Sequence, residues 1–165
     1  MPSLEQLLQP LKPRQKRGLE RKAKEVLASR HLLDFLELDG GGRWQRAKHL
    51  ELICAKLEEI EAATRGEGGC DRAIFCLPPR GGKSEVSSKK FPAWYLGRNP
   101  DSEVILSTYA ADLSYDFSRI ARETLREWGP PLWGTSVSTD SSSVSKWGIK
   151  GHRGGLTAAG VGGPI

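Results

Sequence analysis

Pro79-Arg80-Gly81-Gly82-Lys83-Ser84 is the stretch whose residue types and spacing point most directly to chemistry. Two adjacent glycines permit positive φ and a close backbone approach that a side chain would block. Such a turn at the start of a helix aims several backbone N–H groups into one hollow, and the helix dipole adds positive potential there. Lys83 supplies an ammonium able to reach the outer phosphates of a nucleotide, and the Ser84 hydroxyl stands where Mg²⁺ would be ligated. The implied ligand is therefore a nucleoside triphosphate with its Mg²⁺. The stretch departs from G-x-x-x-x-G-K-[ST] at one position, with Leu77 where the first glycine is expected. Arg80 could contact the γ-phosphate, sense ATP against ADP, or stabilise charge that develops during transfer. The alternative is a loop arginine that faces solvent.

A phosphate-binding turn needs a buried strand before it and a helix after it. Arg72-Ala73-Ile74-Phe75-Cys76-Leu77 is a short apolar run that reads as such a strand, stopped by Pro78 and Pro79. A helix is expected from Lys83 to about Gly97, with Pro92 kinking or breaking it. Glu103 to Tyr109 reads as a second buried strand. Asp112 is expected to cap an amphipathic helix whose core face is Leu113, Phe117, Ile120, Ala121, Leu125 and Trp128, terminated by Gly129-Pro130-Pro131. Thr135 to Ser145 is serine-rich and reads as a loop. Two short strands follow, at about 145–150 and 155–161. Strand, loop, helix, strand, helix is the order of a parallel α/β sheet.

Upstream, residues 18–38 read as one helix ended by Asp39-Gly40-Gly41-Gly42, and 47–63 as a second with Leu50, Ile53, Cys54, Leu57 and Ile60 on one stripe. The expected division is a basic helical N-terminal appendage over 1–42 and a partial P-loop ATPase domain over 43–165. Lys12, Arg14, Lys16, Arg17, Arg21, Lys22, Lys24 and Arg30 crowd the appendage, opposed by Glu20 and Glu25. They form either a surface for nucleic-acid phosphates or an acidic protein, or a solvated basic arm. No apolar run is long enough to cross a membrane, the N-terminus lacks the layout of a secretory signal, and three cysteines make no disulfide framework or zinc spacing. A reduced, cytoplasmic setting is expected. Trp128, Trp133 and Trp147 are read as packing residues, and Arg119, Arg122 and Arg126 as a solvated helix face.

Leu77-Pro-Pro-Arg-Gly-Gly-Lys-Ser84, Phe91-Pro-Ala-Trp-Tyr-Leu-Gly-Arg-Asn-Pro100 and Ile105-Leu-Ser-Thr-Tyr-Ala-Ala-Asp-Leu113 together resemble the large terminase subunit of tailed bacteriophages and prophages. The glycine-rich run from Gly154 to Ile165 is similar to the segment ahead of that family's Walker B strand. The resemblance extends over nearly the whole chain from about residue 27. It implies an ATP-driven motor that packages double-stranded DNA, with a P-loop fold of the additional-strand, catalytic-glutamate type. The implied assembly is a homo-oligomeric ring on the capsid portal protein in the bacterial host cytoplasm, with a small terminase subunit that recruits the DNA. It also implies that Lys83 and Arg80 act on the phosphates, that Pro79 to Ser84 hold ATP, and that Ser84 holds Mg²⁺. Gln45 would read the adenine edge and Trp44 would stack on the base; the alternative is that Trp44 anchors its loop on the core and Gln45 is merely exposed.

Walker B requires an apolar strand closing on two acidic residues, and no such strand follows the turn. The carboxylates of the family's nuclease domain are absent too. Nucleotide binding without turnover is therefore expected, from a fragment, a split gene or a prophage remnant. A non-catalytic nucleotide- or DNA-binding module and a helicase-like P-loop fragment are the other expectations.

Overall fold

The computed structural model describes residues 12–163, so residues 1–11 of the expected appendage and 164–165 of the glycine-rich run lie outside the described residues. Helix α1 (Pro13–Arg30) opens on a proline, whose missing N–H costs nothing at a first helical position. The Gln15 carboxamide accepts from the Lys12 backbone N–H at 3.1 Å. Helix α2 (Leu32–Gly40) ends on Gly41 in the left-handed region, φ 56°.

One continuous helix over 18–38 was expected, and the structure breaks it at His31, which is extended at φ −120° and ψ 128°. Partners from distant parts of the chain stabilise the break. A helix end leaves carbonyls and amides without intrahelical partners. Here the Trp94 indole donates to Ala28 O at 3.1 Å, and the Trp133 indole and Arg98 donate to Ser29 O at 3.1 and 2.9 Å. On the other side of the break the Leu32 N–H donates to the Glu58 carboxylate at 2.6 Å.

Helix α3 (Lys48–Thr64) agrees with its sequence pattern and buries Leu50, Ile53, Cys54 and Leu57. Lys83 and Ser84 begin the helix after the glycine turn, which passes through a π-helical stretch (Glu85–Lys90) into α4 (Phe91–Arg98). Pro92 explains the widening. It has no N–H for the carbonyl four residues back, and its ring collides with that carbonyl in a regular helix. The Phe91 N–H reaches back to Val86 O, five residues away, and the helix continues instead of breaking.

Strand β1 (Glu103–Thr108), helix α5 (Ala111–Trp133) and strands β2 (Val137–Ser142), β3 (Lys146–Ile149) and β4 (Gly155–Gly160) complete the described chain. The molecule is mixed α/β, with a four-stranded sheet in the order β1-β4-β3-β2 flanked by helices. An all-parallel sheet was expected. In fact β1 and β4 are parallel, with Glu103 opposite Gly155 and Thr108 opposite Gly160, while β4–β3 and β3–β2 are antiparallel. The serine-rich stretch is not simply a loop, because Val137–Ser142 pairs with β3 through an irregular register. β1 is less buried than its composition suggests: Leu106 is covered, whereas Ile105 on the opposite face is 61 % exposed.

Helix α5 departs from its sequence pattern three times. Ala110 occupies the N-cap, so Asp112 lies in the first turn and makes no capping bond. The buried face is Ser114, Ser118, Ala121, Thr124 and Leu125, with Leu113 left 45 % exposed. Small polar residues let the helix approach the sheet closely, and each hydroxyl finds a partner. Ser114 donates to Ala159 O at 2.8 Å and accepts from the Thr108 N–H, and Ser118 accepts from the Trp147 indole at 3.0 Å. The helix also runs through Pro130 and Pro131 to Trp133. Pro130 and Pro131 remove two N–H donors from its last turns, yet the extension places Trp133 against Phe35 with ring centroids 5.5 Å apart.

Two apolar clusters result. One joins Ala28, Leu32, Phe35 and Leu36 to Leu50, Ile53, Leu57, Val86 and Trp94. The other joins Leu106, Leu125, Trp147, Ile149 and Leu156 beneath the sheet. Cys54 lies in the first, and burial pushes its thiol up to about 12, whereas Cys70 and Cys76 are exposed. Since the thiolate is the reacting species, a thiol reagent at pH 8 should modify two cysteines in the native chain and the third only on unfolding. Rapid native labelling of all three, counted by mass spectrometry, would contradict this packing.

Candidate phosphate-binding site

The apolar run before the glycine turn is not a strand. Residues 72–77 have no regular secondary structure and pair with no strand among the described residues, and Ile74 is 91 % exposed. The expectation of a buried strand is corrected accordingly. Alternation survives: Phe75 and Leu77 pack against the first apolar cluster while Ile74 and Cys76 face outward. A strand is made by its neighbours as well as by its composition, and this one has none here.

The turn itself is sharply bent. The Gly81 N–H donates to Pro78 O at 3.3 Å, and Gly82 takes φ 78°. A Cβ on Gly82 would be strained in that conformation and would stand 3.2 Å from Leu50 Cδ2. Trp44 Cζ3 lies just beyond, at 3.9 Å from the same point. The chain is therefore pressed onto α3 and Trp44 at a place where only glycine fits comfortably. Arg80 has φ 67°, the one non-glycine residue among those described with positive φ. That conformation costs about 1 kcal/mol for a residue with a Cβ, so the turn holds Arg80 against a local preference.

The Val86 N–H donates to Gly82 O at 3.0 Å, which makes Gly82 the residue from which the helix departs. The first amides of a helix have no acceptor within it, so those of Lys83, Ser84 and Glu85 face outward with the positive end of the dipole. Lys83 is exposed, Ser84 is half-buried, and Arg80 and Lys83 have no ion-pair partner among the described residues. Pro78 to Glu85 line a groove of about 520 Å³, closed on its far side by Lys89 and Phe117. Neither of those last two was read from the sequence as a site residue. Phe117 carried a core pattern, and Lys89 is held in place by Glu85 at 2.5 Å and by the Phe117 ring at 5.6 Å.

The helix behind the groove is anchored. Lys90 Nζ lies 2.8 Å from the Asp39 carboxylate and donates to Thr124 Oγ1 at 3.0 Å, and the Trp128 indole donates to Asp39 at 3.1 Å. One charge pair thus ties the π-helical stretch to α2 and α5. An anchored helix start is what a preorganised phosphate site requires.

Trp44 is half-buried, packed over Gly40 and within the first apolar cluster, and Gln45 is exposed next to it. The tryptophan thus backs the glycine turn from within, with a separate hollow of about 410 Å³ beside it between α1, α2 and the Gly41-Gly42 bend. The structure brings Pro79, Arg80, Gly81, Gly82, Lys83 and Ser84 together in the groove.

The donors present suit an anion: outward amides, two unpaired cations and a hydroxyl. They suit a phosphate-borne cation through Ser84 alone, since no group of three or more metal-binding side chains occurs among the described residues. No strand among those described ends on a pair of acids that could orient a water. No helix among the described residues is long and apolar enough to cross a membrane. Compared with known proteins, the chain matches no protein-family model, no curated protein and no solved structure.

Proposed function

We propose that this chain binds Mg·ATP through the Pro78–Ser84 turn, as the ATPase segment of a DNA-packaging motor of the large-terminase kind. The observation that supports it best is Gly82. Its left-handed backbone, pressed against Leu50, opens a helix whose first amides face a groove together with Lys83. In that arrangement the amides and Lys83 hold the β- and γ-phosphates, and the Ser84 hydroxyl faces the Mg²⁺ that travels with them. Bound Mg²⁺ would neutralise phosphate charge. Arg80, held in the left-handed region within the turn, would supply the second cation for the γ-phosphate. The base would fall to Trp44, which packs behind the turn, and to the exposed Gln45 beside it, both outside the lining of the groove.

The parallel β1–β4 pair with α5 between them in sequence is consistent with part of a P-loop sheet. The packaging role, the duplex DNA substrate, and the small terminase subunit, portal protein and ring of identical subunits as partners rest on the sequence resemblance. A non-catalytic nucleotide-binding module is the second reading, favoured by the lack of an acidic pair on any described strand end. Both readings share binding without turnover by this chain as it stands.

Titration of the labelled chain with a non-hydrolysable Mg·ATP analogue tests the shared claim. Amide resonances of Gly81, Gly82, Lys83 and Ser84 should move, and those of β2 and β3 should not. A turn that stays unshifted at millimolar ligand in a folded sample would remove the nucleotide assignment.

A further inference from the structure

The charge of this chain is concentrated in one projecting element. Residues 12–24 hold seven basic side chains and one acidic one, a net +6, whereas the whole chain carries +5 and the remainder therefore −1. Every residue from Lys12 to Lys24 is exposed, on all sides of the helix. Among the described residues the buried contacts of α1 lie beyond this point, where Ala28 is fully buried and Trp94 and Trp133 hold the carbonyls of Ala28 and Ser29. The first twelve residues of α1 thus form an arm about 18 Å long at 1.5 Å per residue.

The arm is arranged against its own stability. Its first turn has no acidic residue to complement the helix dipole and instead carries Arg14 and Lys16. Among its cations only Arg21 has an ion-pair partner among the described residues, Glu25 at 2.8 Å. Arg14, Arg17, Arg21 and Lys24 recur at steps of three, four and three, which sets them on one stripe. The stripe is about 15 Å long, or four to five base-pair steps at 3.4 Å each. Residues 12–30 contain no Trp, Tyr, Phe or His, so the arm offers no surface on which the splayed bases of a single strand could stack.

We infer that the basic arm of α1 is a binding surface for the phosphate backbone of double-stranded DNA, engaged without regard to base sequence. A polyanion relieves the repulsion among the arm's charges and supplies the negative charge its N-terminus lacks. The inference names a DNA-holding surface for the motor proposed above. It is independent of the nucleotide assignment, because the arm and the glycine turn can each fail alone.

Anisotropy of a labelled 20-base-pair duplex of arbitrary sequence, titrated with the full chain between 50 and 200 mM NaCl, provides the test. With about four phosphates neutralised, log K should fall against log [salt] with a slope near −3.6, roughly a 150-fold loss across that range. The quadruple variant R14Q/R17Q/R21Q/K24Q should lose most of that slope and bind at least tenfold more weakly at 50 mM. Its fold can be verified by circular dichroism, since all four side chains are exposed. Changing Arg119 and Arg126 to Gln on α5 should leave the slope as it is. An unchanged slope in the quadruple variant, no duplex binding at 50 mM, or tighter binding of a single strand of equal length would each overturn the inference.

Discussion

Lys83→Ala is expected to weaken binding of Mg·ATP by roughly ten- to 150-fold, measured by calorimetry or by displacement of a fluorescent nucleotide. The range follows from about 1.5–3 kcal/mol for a hydrogen bond to a charged group. Lys83 is exposed and makes no ion pair among the described residues, so its removal leaves no buried partner stranded. Thermal stability in the absence of nucleotide should therefore hold within about 0.5 kcal/mol, as for other surface changes. That separation gives the experiment its force, because a loss of affinity with an unchanged fold is a local effect on the phosphates. The same variant serves as the turnover control. The unaltered chain should hydrolyse ATP no faster than Lys83→Ala, and a clearly higher steady-state rate would show that a water-activating group exists which the described strands do not display.

Trp94→Ala should be the most damaging single change to the fold. The side chain is fully buried, its indole N–H holds Ala28 O at 3.1 Å, and the Arg98 guanidinium lies 4.6 Å above its ring. Truncating a buried tryptophan to alanine costs about 3–5 kcal/mol, which for a domain of this size lowers Tm by roughly ten degrees. Trp94→Phe keeps most of the volume but orphans the carbonyl at the end of α1, and about 1–3 kcal/mol is expected for that loss. If Trp94→Ala melted within two degrees of the unaltered chain, the account of the break at His31 would be wrong. Two adjoining helices held apart by distant side chains cannot survive the loss of one of those side chains at so little cost.

The residues of the candidate groove were legible in the sequence because the geometry of that turn is local. Gly81, Gly82, Lys83 and Ser84 are contiguous, and the demand for glycine at a left-handed corner is set by sterics within one or two residues. Helix α3 was equally legible, since seventeen residues with one apolar stripe admit few other solutions. The stripe on α5 misled for an identifiable reason. Apolar periodicity favoured Leu113, whereas Ser114 and Ser118 were buried once a carbonyl of β4 and the indole of Trp147 were there to meet them.

Local residue order thus determined where the chain turns, where helices can form, and which six contiguous residues line the candidate groove. Contacts between distant segments decided the rest. The break at His31 depends on Trp94, Trp133, Arg98 and Glu58, the persistence of α5 past two prolines on the burial of Trp133 near Phe35, and the strand state of Val137–Ser142 on β3. The run at 72–77 shows the same rule in reverse, with strand-like residues that find no strand partner among the described residues. Hydrogen-bond partners for helix ends and strand edges come from elsewhere in the chain, so sequence periodicity can propose such elements while only the assembled fold supplies what completes them.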